Sequence, residues 1–99
     1  MLHIVNRSPF ERSSLESCLR MAQPGAALLL IEDGVYAATR GTAIAERVAQ
    51  AGKSLKVYAL GPDVDARALR ARLIEGIEIV DYAGFVDLVV GNDNVQSWL

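Results

Sequence analysis

The stretch Ala26-Ala27-Leu28-Leu29-Leu30-Ile31-Glu32-Asp33-Gly34-Val35-Tyr36 decides the fold class. Its apolar part shows no alternation and stops at two carboxylates and a glycine. A strand with one wet face alternates apolar and polar side chains. A strand of a parallel sheet held between helices meets water on neither face and loses that pattern. Gly25 and Gly34 bracket eight residues, a strand's length rather than a helix's. The run therefore reads as a central buried strand. The turn Glu32-Asp33-Gly34 lies at its carboxyl end, where open α/β sheets place their functional groups.

On the amino-terminal side, residues 1–5 are β-branched or apolar apart from His3 and show no helical period, which predicts a strand. Ser8-Pro9, with Glu11 placed to close a capping box, predicts a helix start, and Ser13 with Glu16 offers a second one. The helix runs to about Ala22 and brings Leu15, Cys18, Leu19 and Ala22 onto one face before Gln23-Pro24-Gly25 ends it. On the carboxyl-terminal side, residues 35–50 suggest a helix interrupted at Arg40-Gly41 and closed by Gly52. Residues 55–60 suggest a third strand. Gly61-Pro62-Asp63 turns the chain into a helix expected over 64–74, capped by Asp63 and stopped by Gly76. A fourth strand is expected over 77–80, and a last helix, capped by Asp81, over 82–90. Residues 91–94 form a turn, and residues 95–99 receive no element. Trp98 is nonetheless expected to dock on this subunit or on a neighbour, because an indole is rarely left in water.

Four strands alternating with helices predict an α/β chain, a small Rossmann-like or flavodoxin-like three-layer sandwich with a parallel sheet of about four strands. Ninety-nine residues suit one domain, 1–99. An apolar fraction of 52% with 22% charged residues excludes disorder, and no apolar run nears the roughly 20 residues that span a bilayer. The net charge of −2 offers no basic field for phosphate, so direct nucleic-acid binding is disfavoured. Without a basic segment leading into a long apolar one at the amino terminus, a cytoplasmic location is expected. The apolar content is high for so short a chain and suggests an oligomer interface.

Little chemistry is legible in the residues themselves. Asn6-Arg7-Ser8-Pro9 lacks the glycines that admit a pyrophosphate, and there is no P-loop pattern, so no cofactor is expected. One cysteine and one histidine provide neither a disulfide nor a metal-ligand set. A serine hydrolase would need a nucleophile elbow that is not present. Glu32, Asp33 and Asp81 end strands, where they are compatible with magnesium or acid/base work but better suited to turn and cap duty. Arg67, Arg70 and Arg72 could meet phosphate, although Asp63, Asp65 and Glu75 nearby favour a solvated face. His3 could titrate, but inside a strand it suits a structural role. Cys18 is a candidate sulfur carrier if reachable as thiolate. Its place on the apolar stripe favours packing as a small hydrophobe.

The combination of Leu2-His3, Arg7-Ser8-Pro9, Leu28-Leu29-Leu30 with Glu32-Asp33-Gly34-Val35, Val57-Tyr58-Ala59-Leu60, Asp81-Tyr82 with Phe85-Val86, and Trp98 resembles the DsrH/TusB family over nearly the full length. The resemblance implies a subunit of a cytoplasmic, heterohexameric sulfur relay built with two paralogues, TusC/DsrF-like and TusD/DsrE-like. It implies persulfide transfer to a downstream sulfur-carrier protein. In the TusBCD branch that relay supports 2-thiouridine at the tRNA wobble position, and in the DsrEFH branch oxidative sulfur metabolism. The principal sulfur-carrying cysteine belongs to another subunit in both. Leu15-Glu16-Ser17-Cys18-Leu19 matches a first-helix cysteine of the DsrH type, so the resemblance raises a sulfur role for Cys18, with partial accessibility of its thiol expected. A purely structural subunit is the alternative.

Overall fold

In the computed structural model, which describes residues 1–98, the strands β1 (Leu2–Val5), β2 (Ala27–Leu30), β3 (Lys56–Leu60), β4 (Glu78–Val80) and β5 (Val95–Trp98) form one parallel sheet. Their order is β4-β3-β2-β1-β5. The apolar run is β2, and it is the middle strand. Leu29 pairs with Ile4 on one side and Tyr58 on the other. Leu28, Leu29 and Leu30 are fully buried, as a strand without alternation requires.

The helices α1 (Ser14–Met21), α2 (Ala45–Ala51), α3 (Gly61–Ala66) and α4 (Tyr82–Val90) divide unequally between the faces. From β1 to β4 the chain steps across the sheet in one direction, so right-handed crossovers put α1, α2 and α3 on one side. The β4 to β5 connection returns past β1 and puts α4 on the other. The two cores follow this division. Leu15, Cys18, Val48 and Val64 pack with Val5, Leu28, Leu30, Val57 and Ala59. Phe85 and Leu88 pack with Leu2, Ile4, Ala27 and Leu29.

The sequence reading is corrected at several points. The sheet has five strands where about four are expected, the addition being residues 95–98, which pair with β1 from Leu2↔Val95 to Val5↔Trp98. Polar Gln96 and Ser97 suit an edge strand and hide its strand character. Helix α1 begins at Ser14 and not at Ser8-Pro9. Residues 8–12 form a turn in which the Ser8 carbonyl accepts from the Glu11 and Arg12 N–H groups and its Oγ accepts from the Phe10 N–H at 3.2 Å. The helix expected over 35–50 does break at Arg40-Gly41, with Gly41 at φ 78°, but its first part is a 3-10 helix, Glu32–Ala38, and its second is α2. The break is tied to the far side of α3, with Arg40 N–H donating to Arg72 O at 2.7 Å and Ile74 N–H to Ala38 O at 2.8 Å.

The helix expected over 64–74 ends at Ala66. Leu69 N–H donates to Val64 O and Ala68 N–H to Asp65 O, the paired bonds of a Schellman cap. Ala68 occupies the left-handed position at φ 55°, where glycine is usual. Asp63 lies inside α3 instead of capping it.

Candidate functional site

The carboxyl ends of β1, β2 and β3 are held together by the Glu32-Asp33-Gly34 turn. Ile31 N–H donates to Val5 O at 3.0 Å, and a Cβ on Gly34 would collide with that same carbonyl. Only glycine lets the chain leaving β2 fold over the end of β1. Glu32 then takes a left-handed φ of 49°, and its N–H donates to Asp63 Oδ2 at 2.6 Å. Asp33 Oδ1 accepts from Nε and Nη2 of Arg67 at 3.0 and 2.8 Å. Arg67 also donates from Nη1 to the Asp63 carbonyl and stands 5.9 Å from the Tyr36 ring centre. Its pKa is raised, chiefly by the hydrogen bond to Asp33. Beyond it, Arg70 pairs with both carboxylate oxygens of Asp65 at 2.7 and 2.8 Å.

Chemically this rim is a lock. Two of the three strand-end carboxylates singled out in the sequence are engaged, Asp33 by Arg67 and Asp81, the cap of α4, by Gly84 N–H at 2.8 Å, and Asp63 accepts from the Glu32 N–H. Glu32 contributes its backbone. Among the described residues no cluster of three His, Cys, Asp or Glu side chains could hold a metal ion. Turn and cap duty, and a solvated ion-paired face for Arg67 and Arg70, are what the geometry supports.

Cys18 is fully buried on the sheet side of α1. The expected partial accessibility is therefore corrected. The apolar stripe that includes Leu15 turns inward as a whole, and burial pushes the thiol up to about 11. At neutral pH it is a protonated, packed group.

His3 and Trp98 form a pair that no local pattern announces. His3, nearly buried on β1, accepts at Nδ1 from Trp98 Nε1 at 3.1 Å, with ring centres 6.1 Å apart and planes tilted by 39°. Trp98 thus docks on its own subunit. Neutral imidazole carries its proton on Nε2 in this arrangement. Desolvation first, and the amino-terminal charge second, lower the pKa of His3. The pair borders a cavity of about 240 Å³ with Met1, Met21, Gln23 and Gln96. Its members are 95 positions apart, and only the pairing of β5 with β1 brings them together.

The sheet order, with three helices on one face and one on the other, defines a small parallel α/β fold. The ychN protein from E. coli shares this fold with a TM-score of 0.83 at 22% identity, covering 98% of this chain and 97% of that one. So does MTH1491 from Methanobacterium thermoautotrophicum, with a TM-score of 0.76 at 15% identity, over 97% and 95% of the two chains.

Within that fold the family follows from sequence. Residues 7–95 match the family described as DsrH like protein. The chain is 40% identical over 98 residues to Protein TusB of Enterobacter sp. (strain 638), and 38% identical to Protein TusB of Escherichia coli (strain K12). Both alignments cover 99% of this chain and 100% of the relative. The chain belongs to the DsrH family.

Proposed function

We propose that this chain is an accessory subunit of a sulfur relay, working in a cytoplasmic heterohexamer with TusC/DsrF-like and TusD/DsrE-like paralogues. The observation that carries the reading is the full-length similarity to proteins named TusB. The TusB name favours the tRNA branch, in which the relay supports 2-thiouridine at the wobble position. The DsrEFH role in oxidative sulfur metabolism is the second reading, favoured by the match of Leu15-Glu16-Ser17-Cys18-Leu19 to the DsrH pattern.

In this reading sulfur rides on a cysteine of another subunit, and Cys18 packs the core. The burial and raised pKa of Cys18 support that division of labour. Co-expression with the two paralogues should give one species of hexameric mass in size-exclusion chromatography. A stable monomer that ignores both would overturn the reading. Loss of wobble thiolation on deletion would select the tRNA branch, and intact thiolation with impaired sulfur oxidation the other. Exposure of the assembled complex to a persulfide donor should leave the Cys18 peptide unmodified by mass spectrometry. A sulfur adduct there would restore Cys18 as a carrier.

A further inference from the structure

Helix α4 is apolar on two sides, and the fold covers only one of them. Phe85 and Leu88 pack on the sheet. On the outward side Tyr82, Val86, Val89 and Val90, at the spacing i, i+4, i+7, i+8, are 62%, 58%, 36% and 79% exposed. A helix apolar all round is normally a covered helix.

Charge indicates what covers it. The first 72 residues hold all ten lysines and arginines together with seven carboxylates. The remaining residues hold five carboxylates, Glu75, Glu78, Asp81, Asp87 and Asp93, and no cation. Glu78, Asp87 and Asp93 are exposed, and among the described residues the salt bridges lie elsewhere, at Arg47–Glu16, Arg67–Asp33 and Arg70–Asp65. Arg70 borders the amino-terminal end of the helix beside Asp81 and Gly84, and Lys53 and Lys56 share a cleft with Glu78. The acidic flank of the apolar stripe is therefore the exposed pair Asp87 and Asp93 toward its carboxyl end. A second copy docking through the same face about a two-fold axis would set Asp87 and its neighbours against their own equivalents, and like charges brought together at an interface are disfavoured.

We propose that the outer face of α4 docks a different protein chain, one that meets the valine stripe with apolar side chains and the surrounding carboxylates with lysine or arginine. The proposal rests on the relay-subunit reading and specifies the face used and the chemistry of the paralogue that binds it. Tyr82 and Val86 are the apolar anchors, and Asp87 and Asp93 set the pairing and the encounter rate.

The test is binding of the intact chain to its two co-expressed paralogues, compared among wild type, Val86→Glu, Val90→Glu, Asp87→Lys with Asp93→Lys, and Lys53→Glu as a control on the turn after α2. The exposed positions should leave the thermal midpoint unchanged. Val86→Glu should weaken the complex about tenfold or more. The double charge reversal should slow association and flatten its salt dependence, while Lys53→Glu binds as wild type. Paralogue binding that survives both glutamate variants would overturn the proposal and leave the relay reading standing. A homodimer split by Val86→Glu would overturn it in favour of a second copy. A wild-type chain that binds neither paralogue would overturn both.

Discussion

Cys18 shows how one residue's role turns on its surroundings rather than its type. A thiol raised from 9.0 to about 11 has a thiolate fraction near pH 8 about a hundredfold below that of the unfolded chain. Native-state labelling with a thiol reagent should be slower by at least that factor and should recover fully in denaturant. Because the folded pKa is the higher one, the linked stability is complete below pH 9 and is lost as pH rises toward 11. Denaturation midpoints at pH 8 and pH 11 check the sign, with Cys18→Ala as the variant lacking this contribution. The helical spacing of Leu15, Cys18 and Leu19 made the inward stripe legible in the sequence. The degree of burial depended on the strands that α1 meets.

At the scale of elements, β2 and α3 make contrasting cases. The position of β2 was legible because an apolar run without alternation has few places to go, and a side chain there cannot escape to water. Leu29→Asp should cost about 3 kcal/mol or more by urea denaturation, since its carboxylate would be buried without a partner. A near-native midpoint would mean the strand is at an edge. The end of α3 was not legible, because Ala68 stands where glycine normally signals a stop. Holding alanine left-handed costs roughly 1–2 kcal/mol and glycine's own entropy cost is about 0.5–1 kcal/mol, so Ala68→Gly should stabilise the fold by about 0.5–1 kcal/mol. A loss of stability would show that the Schellman cap is not formed in solution. The carboxylate rim was legible only as a set of turn residues. That Asp33 holds Arg67 and Asp63 holds the Glu32 amide depends on strands β2 and β3 lying side by side.

The whole molecule is closed by its two ends. Strand β5 pairs with β1, and the Trp98 indole donates to the His3 imidazole. A protonated imidazole has no free Nδ1 lone pair, so acid breaks this bond. The folded pKa of His3 lies below its ordinary 6.5, so the linked stability is present above that value and is lost as pH falls through the folded pKa. Fluorescence of Trp98, the single tryptophan, should change with a midpoint below 6.5, and His3→Phe should abolish that transition. A midpoint at about 6.5 would indicate an imidazole in water and no such pair.

By itself the sequence determined the alternation of strand and helix, the central buried strand, the cap at Asp81 and the family. Each of these rests on local pattern: the period of apolar residues, a turn residue at a fixed offset, or a run of quoted motifs. Only the tertiary structure decided that residues 95–98 are a fifth strand, that Cys18 is sealed, that Asp33 and Arg67 lock the rim, and that α4 keeps an apolar stripe bare. These depend on which strands become neighbours and on which face each crossover lies. A parallel sheet sets both through contacts between residues far apart in the chain, where no local pattern records them.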